Sequence, residues 1–259
     1  MKNISIVLFI FFGIYCNAQS IVNTEKLFTT NDEGLGVSSE LTGSSISGNA
    51  SVLLLEYSLN FSYKKENHYL RLLSGGENIN EAKTQVSNSL FTQLRYNYFI
   101  DSKSRFFAFS QIQSNAILLL NRRLLFGAGY RRNLIDIKND SSSRYELDIS
   151  VGLMQEEEVL NRDGLPVDEK YYTNYTRAMF SIVGIIDITD KFTIVNTTYY
   201  QQYVNDLNDY RLLNETNLMV QINEWLMISM DLEYRFDSDA PSILKDRDFN
   251  TNLGLVFNI

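Results

Sequence analysis

The feature that most constrains this chain is an alternation of apolar and polar residues sustained for about a dozen positions at a time. Between Trp225 and Asp237, Leu226, Ile228, Met230, Leu232, Tyr234 and Phe236 share one parity; Met227, Ser229, Asp231, Glu233, Arg235 and Asp237 share the other. Asp248 to Ile259 repeats the pattern, with Phe249, Thr251, Leu253, Leu255, Phe257 and Ile259 opposite Asp248, Asn250, Asn252, Gly254, Val256 and Asn258. Shorter versions run through Leu53–Tyr63, Leu90–Ile100 and Tyr145–Leu153. Side chains of a strand point alternately to its two faces, so each segment is a two-faced strand. Strands of soluble domains average about 5–6 residues, whereas tilted strands that cross a bilayer need roughly 9–11. The excess length predicts an all-β fold, a single antiparallel transmembrane β-barrel.

Counting such segments gives about twelve strands, with ten as the alternative, and bacterial single-chain barrels have even numbers. The expected spans are 33–42, 50–63, 67–74, 85–100, 104–115, 121–137, 143–155, 173–187, 191–204, 209–222, 225–237 and 247–259. Short turns (Lys64–Glu66, Asp101–Lys103, Thr189–Asp190, Asn223–Glu224) tend to alternate with longer polar connections at 75–84, 156–172 and 238–246. Short periplasmic turns and long external loops are the habit of outer-membrane barrels. One run breaks the rule: Ala116–Leu120 is apolar where an external loop should lie.

The polar parity carries many charges: Glu40, Glu56, Arg71, Arg95, Arg131, Glu146, Asp148, Arg177, Arg211, Glu215, Asp231, Glu233 and Arg235. An arginine facing hydrocarbon costs about 2–4 kcal/mol at the midplane, so this face must line the lumen. Opposite charges on neighbouring strands then either pair into a rigid plug, the favoured reading, or line a narrow polar channel. Gly127 and Gly129 fall on the same parity as Arg123, Arg131 and Asn133, where glycine permits close packing or curvature.

Lys2, the apolar run Ile4–Tyr15 and the small residues before Gln19 read as a signal peptide over 1–18, leaving 19–259 as one barrel domain. Tyr15 ahead of Cys16 fits a lipoprotein cleavage site poorly. Cys16 is the chain's one cysteine, so the mature chain is expected to have neither disulfides nor cysteine-ligated zinc. A formal net charge of −8 argues against nucleic acid as a partner.

Phe109-Ser110-Gln111-Ile112-Gln113-Ser114-Asn115, followed by Arg123-Leu124-Leu125-Phe126-Gly127-Ala128-Gly129-Tyr130-Arg131, resembles the salt-induced outer-membrane protein family, a group defined only as a domain of unknown function. Ile21–Glu25 and the final strand after Asp246-Arg247-Asp248 are similar as well. The resemblance implies an outer-membrane barrel and brings no catalytic residues. Such barrels commonly end in Phe; this chain ends in Ile259, with Phe257 two residues earlier on the same face.

Little else points to chemistry. His68 is the chain's one histidine, and its parity with Leu70 and Leu72 puts it on the lipid face near a turn. It has no obvious serine partner, so a lipid-acting enzyme ranks as an alternative only. A secreted soluble β-barrel binding protein is the other alternative. One histidine is too few for a histidine-built metal site, and no cofactor is expected. Two acidic stretches, Gln155–Glu158 running on to Asp168-Glu169, and Asp237–Asp239, read as solvated loop charge. The expected function is that of a structural or envelope barrel, porin-like in form and not an enzyme, in the outer membrane of a Gram-negative bacterium. It would be a monomer whose partners are outer-membrane lipid and, during biogenesis, the barrel-assembly machinery.

Overall fold

A computed structural model describes residues 33–46, 52–81, 84–138 and 143–258. The signal peptide read at 1–18, the segment Ile21–Glu25 and Ile259 lie outside the described residues. Twelve strands form one closed barrel: β1 (Gly34–Ile46), β2 (Val52–Lys65), β3 (His68–Glu81), β4 (Thr84–Phe99), β5 (Ser104–Asn115), β6 (Leu120–Lys138), β7 (Arg144–Leu160), β8 (Tyr172–Thr189), β9 (Phe192–Tyr203), β10 (Tyr210–Gln221), β11 (Leu226–Asp237) and β12 (Arg247–Asn258). Each strand pairs antiparallel with its neighbours in sequence, and β1 closes on β12 from Ser38↔Asn258 to Gly43↔Leu253. Closure gives every strand a neighbour on each side. Strands run from 12 to 19 residues, enough to cross a bilayer at a tilt. Among the described residues no helix is long and apolar enough to do so.

Turn chemistry fixes one end of the barrel. Asp101 Oδ1 accepts the Lys103 amide at 2.7 Å. Thr189 Oγ1 accepts the amides of Lys191 and Phe192, and Asn223 Oδ1 those of Trp225 and Leu226. These are the local side-chain-to-backbone bonds that favour Asp, Asn and Thr at tight turns. The opposite, loop end carries the longer connections 161–171, 204–209 and 238–246, tied together where Glu169 Oε1 accepts the Ser242 amide at 2.8 Å.

Two expectations need correction. Most of 75–84, read as a loop, is strand, since β3 continues to Glu81 and β4 begins at Thr84. Likewise β7 continues to Leu160, so Gln155–Glu158 is strand and not loop. The apolar run at Ala116–Leu120 turns the chain between β5 and β6. There Leu118 and Leu120 bury against Leu160, with Ile117 and Leu165 beside them, and Leu119 takes a left-handed φ of 55°. This small cluster is the apolar core at the loop end. Elsewhere the large apolar side chains mostly face outward: Leu41, Leu59, Phe61, Leu72, Phe126, Leu153, Ile228, Leu253 and Leu255 are all exposed. The polar groups are inside.

Candidate functional site

Three arginines from alternate strands meet four carboxylates in the lumen at the loop end. Arg123 of β6 pairs with Glu158 and, at 3.5 Å, with Glu156, both on β7. Arg177 of β8 binds Glu156 at 2.8 Å and grips Asp209 through two guanidinium nitrogens, at 2.6 and 3.2 Å. Arg211 of β10 reaches Glu156 at 2.7 Å, Glu158 at 3.1 Å and Asp237 at 2.8 Å. All seven side chains are buried, Arg177 and Glu156 at 1% exposure. Stacked Tyr175 and Tyr203, 4.1 Å apart, lie beside the Arg177 guanidinium. The arginine planes give the bidentate geometry that suits carboxylates. Ion pairs this buried hold only when each partner is satisfied, and here Glu156 touches all three arginines.

Below the knot, one wall is a stack of rings and amides. The rings of Phe107 and Phe109 lie against Gly127 and Gly129: a Cβ at Gly127 would sit 2.5 Å from the Phe109 ring, and one at Gly129 2.6 Å from the Phe107 ring. On their other side the Arg95 guanidinium stands 5.0 and 5.7 Å from the two ring centroids, a cation–π arrangement. Gln93 donates to Gln111 at 2.6 Å, and Gln111 to Gln113 at 2.5 Å, so the amides form a ladder. A cavity of about 50 Å³ lies between this wall and Met154, Met179 and Tyr199. Towards the turn end, Asp148 accepts from Arg131 at 2.7 Å and Arg105 at 3.4 Å.

Across the lumen from the knot, β1 to β5 and β10 to β12 enclose a larger cavity of about 140 Å³. Glu40, Glu56, Glu77, Glu215, Asp231 and Glu233 line it, with Arg235 as its sole arginine. Arg235 binds Glu233 at 2.7 Å. Ser229 donates to Glu40, Asn252 to Glu56 and Asn217 to Glu215.

The charges read from the sequence therefore fall into separate groups on the inner face. Arg177 and Arg211 belong to the knot; Glu40, Glu56, Glu215, Asp231, Glu233 and Arg235 surround the large cavity. Arg131 and Asp148 pair with each other, Glu146 pairs with Arg144 at 2.7 Å, and Arg71 donates to Asn60. Arg95 stacks on the aromatic wall. Glu156, Glu158, Asp209 and Asp237 escaped the reading, and two of the stretches taken for solvated loop charge supply three of them. The parity of β7, carried two steps past Met154, would have found Glu156 and Glu158. His68 is exposed on the outer face, bonded to the Tyr96 hydroxyl at 2.6 Å and packed on Tyr98.

Fold and lumen together define an up-and-down β-barrel with an apolar exterior and a charged, largely filled interior. The chain belongs to the family described as a protein of unknown function, DUF481, whose model matches residues 39–259. In fold it is similar to the NanC porin, at 10% identity and a TM-score of 0.52 over 87% of this chain and all of that one. Weaker likenesses join it to the KdgM porin in complex with disordered oligogalacturonate (12% identity, 86% of this chain and 99% of that one, TM-score 0.48). Another is the translocator domain of the autotransporter NalP from Neisseria meningitidis (10% identity, 88% and 90%, TM-score 0.43). No curated protein matches the sequence.

Proposed function

We propose that this protein is an outer-membrane β-barrel of a Gram-negative envelope, a structural monomer whose narrow polar lumen is shut at its loop end by the arginine–carboxylate knot. The observation that carries this reading is the inverted polarity of the fold: Arg71, Arg123 and Arg177 are at most 2% exposed inside, while Phe126 and Leu253 are 60% and 61% exposed outside. In water that exterior would be a very large apolar patch; against acyl chains it is the stable arrangement. The long-loop end would face outward and the short-turn end the periplasm. Membership of the salt-induced outer-membrane proteins is supported by the Phe109–Gln113 and Arg123–Arg131 segments, which build the ring-and-amide wall. A non-enzymatic role is supported by His68, whose place on the outer face beside Tyr96 suits an interfacial aromatic belt better than a catalytic base.

The test is conductance in planar bilayers after refolding from urea. The wild type should insert, shift its electrophoretic mobility on heating and pass little or no current, because the knot blocks one end. Arg177→Ala together with Arg211→Ala should raise the current. A large steady conductance from the wild type would show that the knot is no plug, and failure to insert at all would sink the membrane reading.

A further inference from the structure

We propose that the barrel wall opens sideways at the loop end of the β1–β12 seam, and that the opening admits the polar head of a membrane amphiphile into the 140 Å³ cavity behind it. The inference rests on the membrane reading above and adds a route and a ligand class. β1 and β12 are joined over six residue pairs, from Ser38↔Asn258 to Gly43↔Leu253, whereas every other neighbouring pair of strands is joined over at least eleven. Past Gly43 and Leu253 both strands continue. β1 runs on to Ile46, still paired with β2, and β12 reaches back to Arg247, still paired with β11. Among the described residues these two stretches are not paired with each other.

The sequence accounts for the break. Gly43-Ser44-Ser45 offers little side chain for the cross-strand packing that stabilises a sheet. In place of the ladder, side chains latch the inner face. Ser229 of β11 reaches over β12 to Glu40 of β1 at 2.9 Å, and Asn252 of β12 reaches over β1 to Glu56 of β2 at 3.1 Å. Gly254 makes room for the first: a Cβ there would stand 2.5 Å from the Ser229 hydroxyl and 2.8 Å from that of Thr42. Unpaired strand backbone is not left against hydrocarbon, but it is tolerated where it borders a polar cavity. It does so here. Glu40 and Thr42 on one side of the seam, and Asn250 and Asn252 on the other, all line the cavity.

The two sides of the opening select the visitor. Outside, exposed Leu55, Phe249 and Leu253 flank it, so whatever lies against the wall there is apolar. Inside, the lining is polar and a second observation points to a ligand. Ser58, on the cavity wall, is nine-tenths buried, and its hydroxyl meets no hydrogen-bond partner among the described residues. A buried hydroxyl left so is costly, and a donor arriving in the cavity relieves it. A molecule with both halves is an amphiphile whose head donates hydrogen bonds, as an aminoethyl phosphate does, and whose chains stay in the bilayer. The route joins the lumen to the membrane and does not run through the barrel.

The experiment uses the full-length protein refolded into phospholipid vesicles and first checked for heat-modifiable mobility. Two cysteine pairs in a Cys16→Ser background probe the seam: Gly43→Cys with Leu253→Cys, where the ladder is intact, and Ser45→Cys with Thr251→Cys, beyond its end. Under a mild oxidant the first pair should crosslink roughly tenfold faster than the second, because a disulfide needs Cα atoms within about 7 Å. Separately, phosphatidylethanolamine carrying a diazirine on its head is photolysed around the unsubstituted chain, and the labelled residues are mapped by mass spectrometry. Adducts are expected on Glu40, Asn250 and Asn252, and a short bis-maleimide joining the Ser45→Cys and Thr251→Cys pair should abolish them. Three results would overturn the opening: equal crosslinking of the two pairs, lipid adducts confined to outward residues, or adducts that survive the bridge and appear equally with the water-soluble head alone. Failure to insert would instead strike the barrel reading itself.

Discussion

Gly127 and Gly129 hold their places because a Cβ at the first would meet the Phe109 ring and one at the second the Val151 carbonyl and the Phe107 ring. Gly127→Val should therefore push the Phe109 ring out of its stack and cost about 1–3 kcal/mol, the usual penalty for overpacking. Urea unfolding in lipid vesicles measures it, and Phe109→Leu in the same chain should recover part of the loss. Additive losses would mean that the ring is not what the valine meets. The charge at the loop end is a separate matter. Burial, with Asp209 and Asp237 adding repulsion, raises the pKa of Asp239 above the ordinary 3.8. An acid with a raised folded pKa costs the fold nothing while it is protonated in both states. Its cost appears as pH passes the unfolded value and is complete above the folded one. Asp239→Asn should thus stabilise the protein at neutral pH and make no difference below the ordinary carboxylate range. A gain that persisted in acid would contradict the assignment. At this scale the sequence shows which parity each charge takes but not its partner: Arg211 and Glu156 meet across 55 positions of chain, and no local pattern encodes that.

The strand β7 shows where alternation stops being readable. Up to Leu153 its outer face is apolar; beyond it, Gln155 and Glu157 face outward while Glu156 and Glu158 face in. Both faces are then polar, because the strand has run past the apolar belt, and a polar run on both parities looks like a loop. The end of β3, from Gly75 to Glu81, is hidden in the same way. Adjacent glutamates should consequently behave very differently. Glu157 pairs with Arg122 at 2.6 Å on the outside, half-exposed, and Glu157→Ala should change stability by no more than about 1 kcal/mol. Glu158→Ala strands Arg123 and removes a partner of Arg211 inside the lumen, a loss of about 3–5 kcal/mol if the knot is as dry as its burial indicates. Equal effects from the two would mean that water fills the mouth. The Ala116–Leu120 run reads as a misplaced loop in the sequence because its partners, Leu160 and Leu165, come only at the end of β7 and just after it.

For the whole molecule, barrel class, closure in sequence order and the inward parity of the charges could be argued from strand length, turn spacing and the cost of a charge in hydrocarbon. Whether the lumen is open could not, since that depends on how far arginines from β6, β8 and β10 reach across it. A lumen lined by charges requires the oily face of each strand to meet lipid. Fluorescence quenching by lipids brominated along their acyl chains tests that directly. Trp225 is the chain's one tryptophan; in a Trp225→Phe background, single tryptophans would be placed in turn at Ile228, Ser229, Met230, Asp231 and Leu232 of β11. The account predicts strong quenching at 228, 230 and 232 and weak quenching at 229 and 231. Quenching that is uniform along the strand, or strongest at 229 and 231, would contradict it.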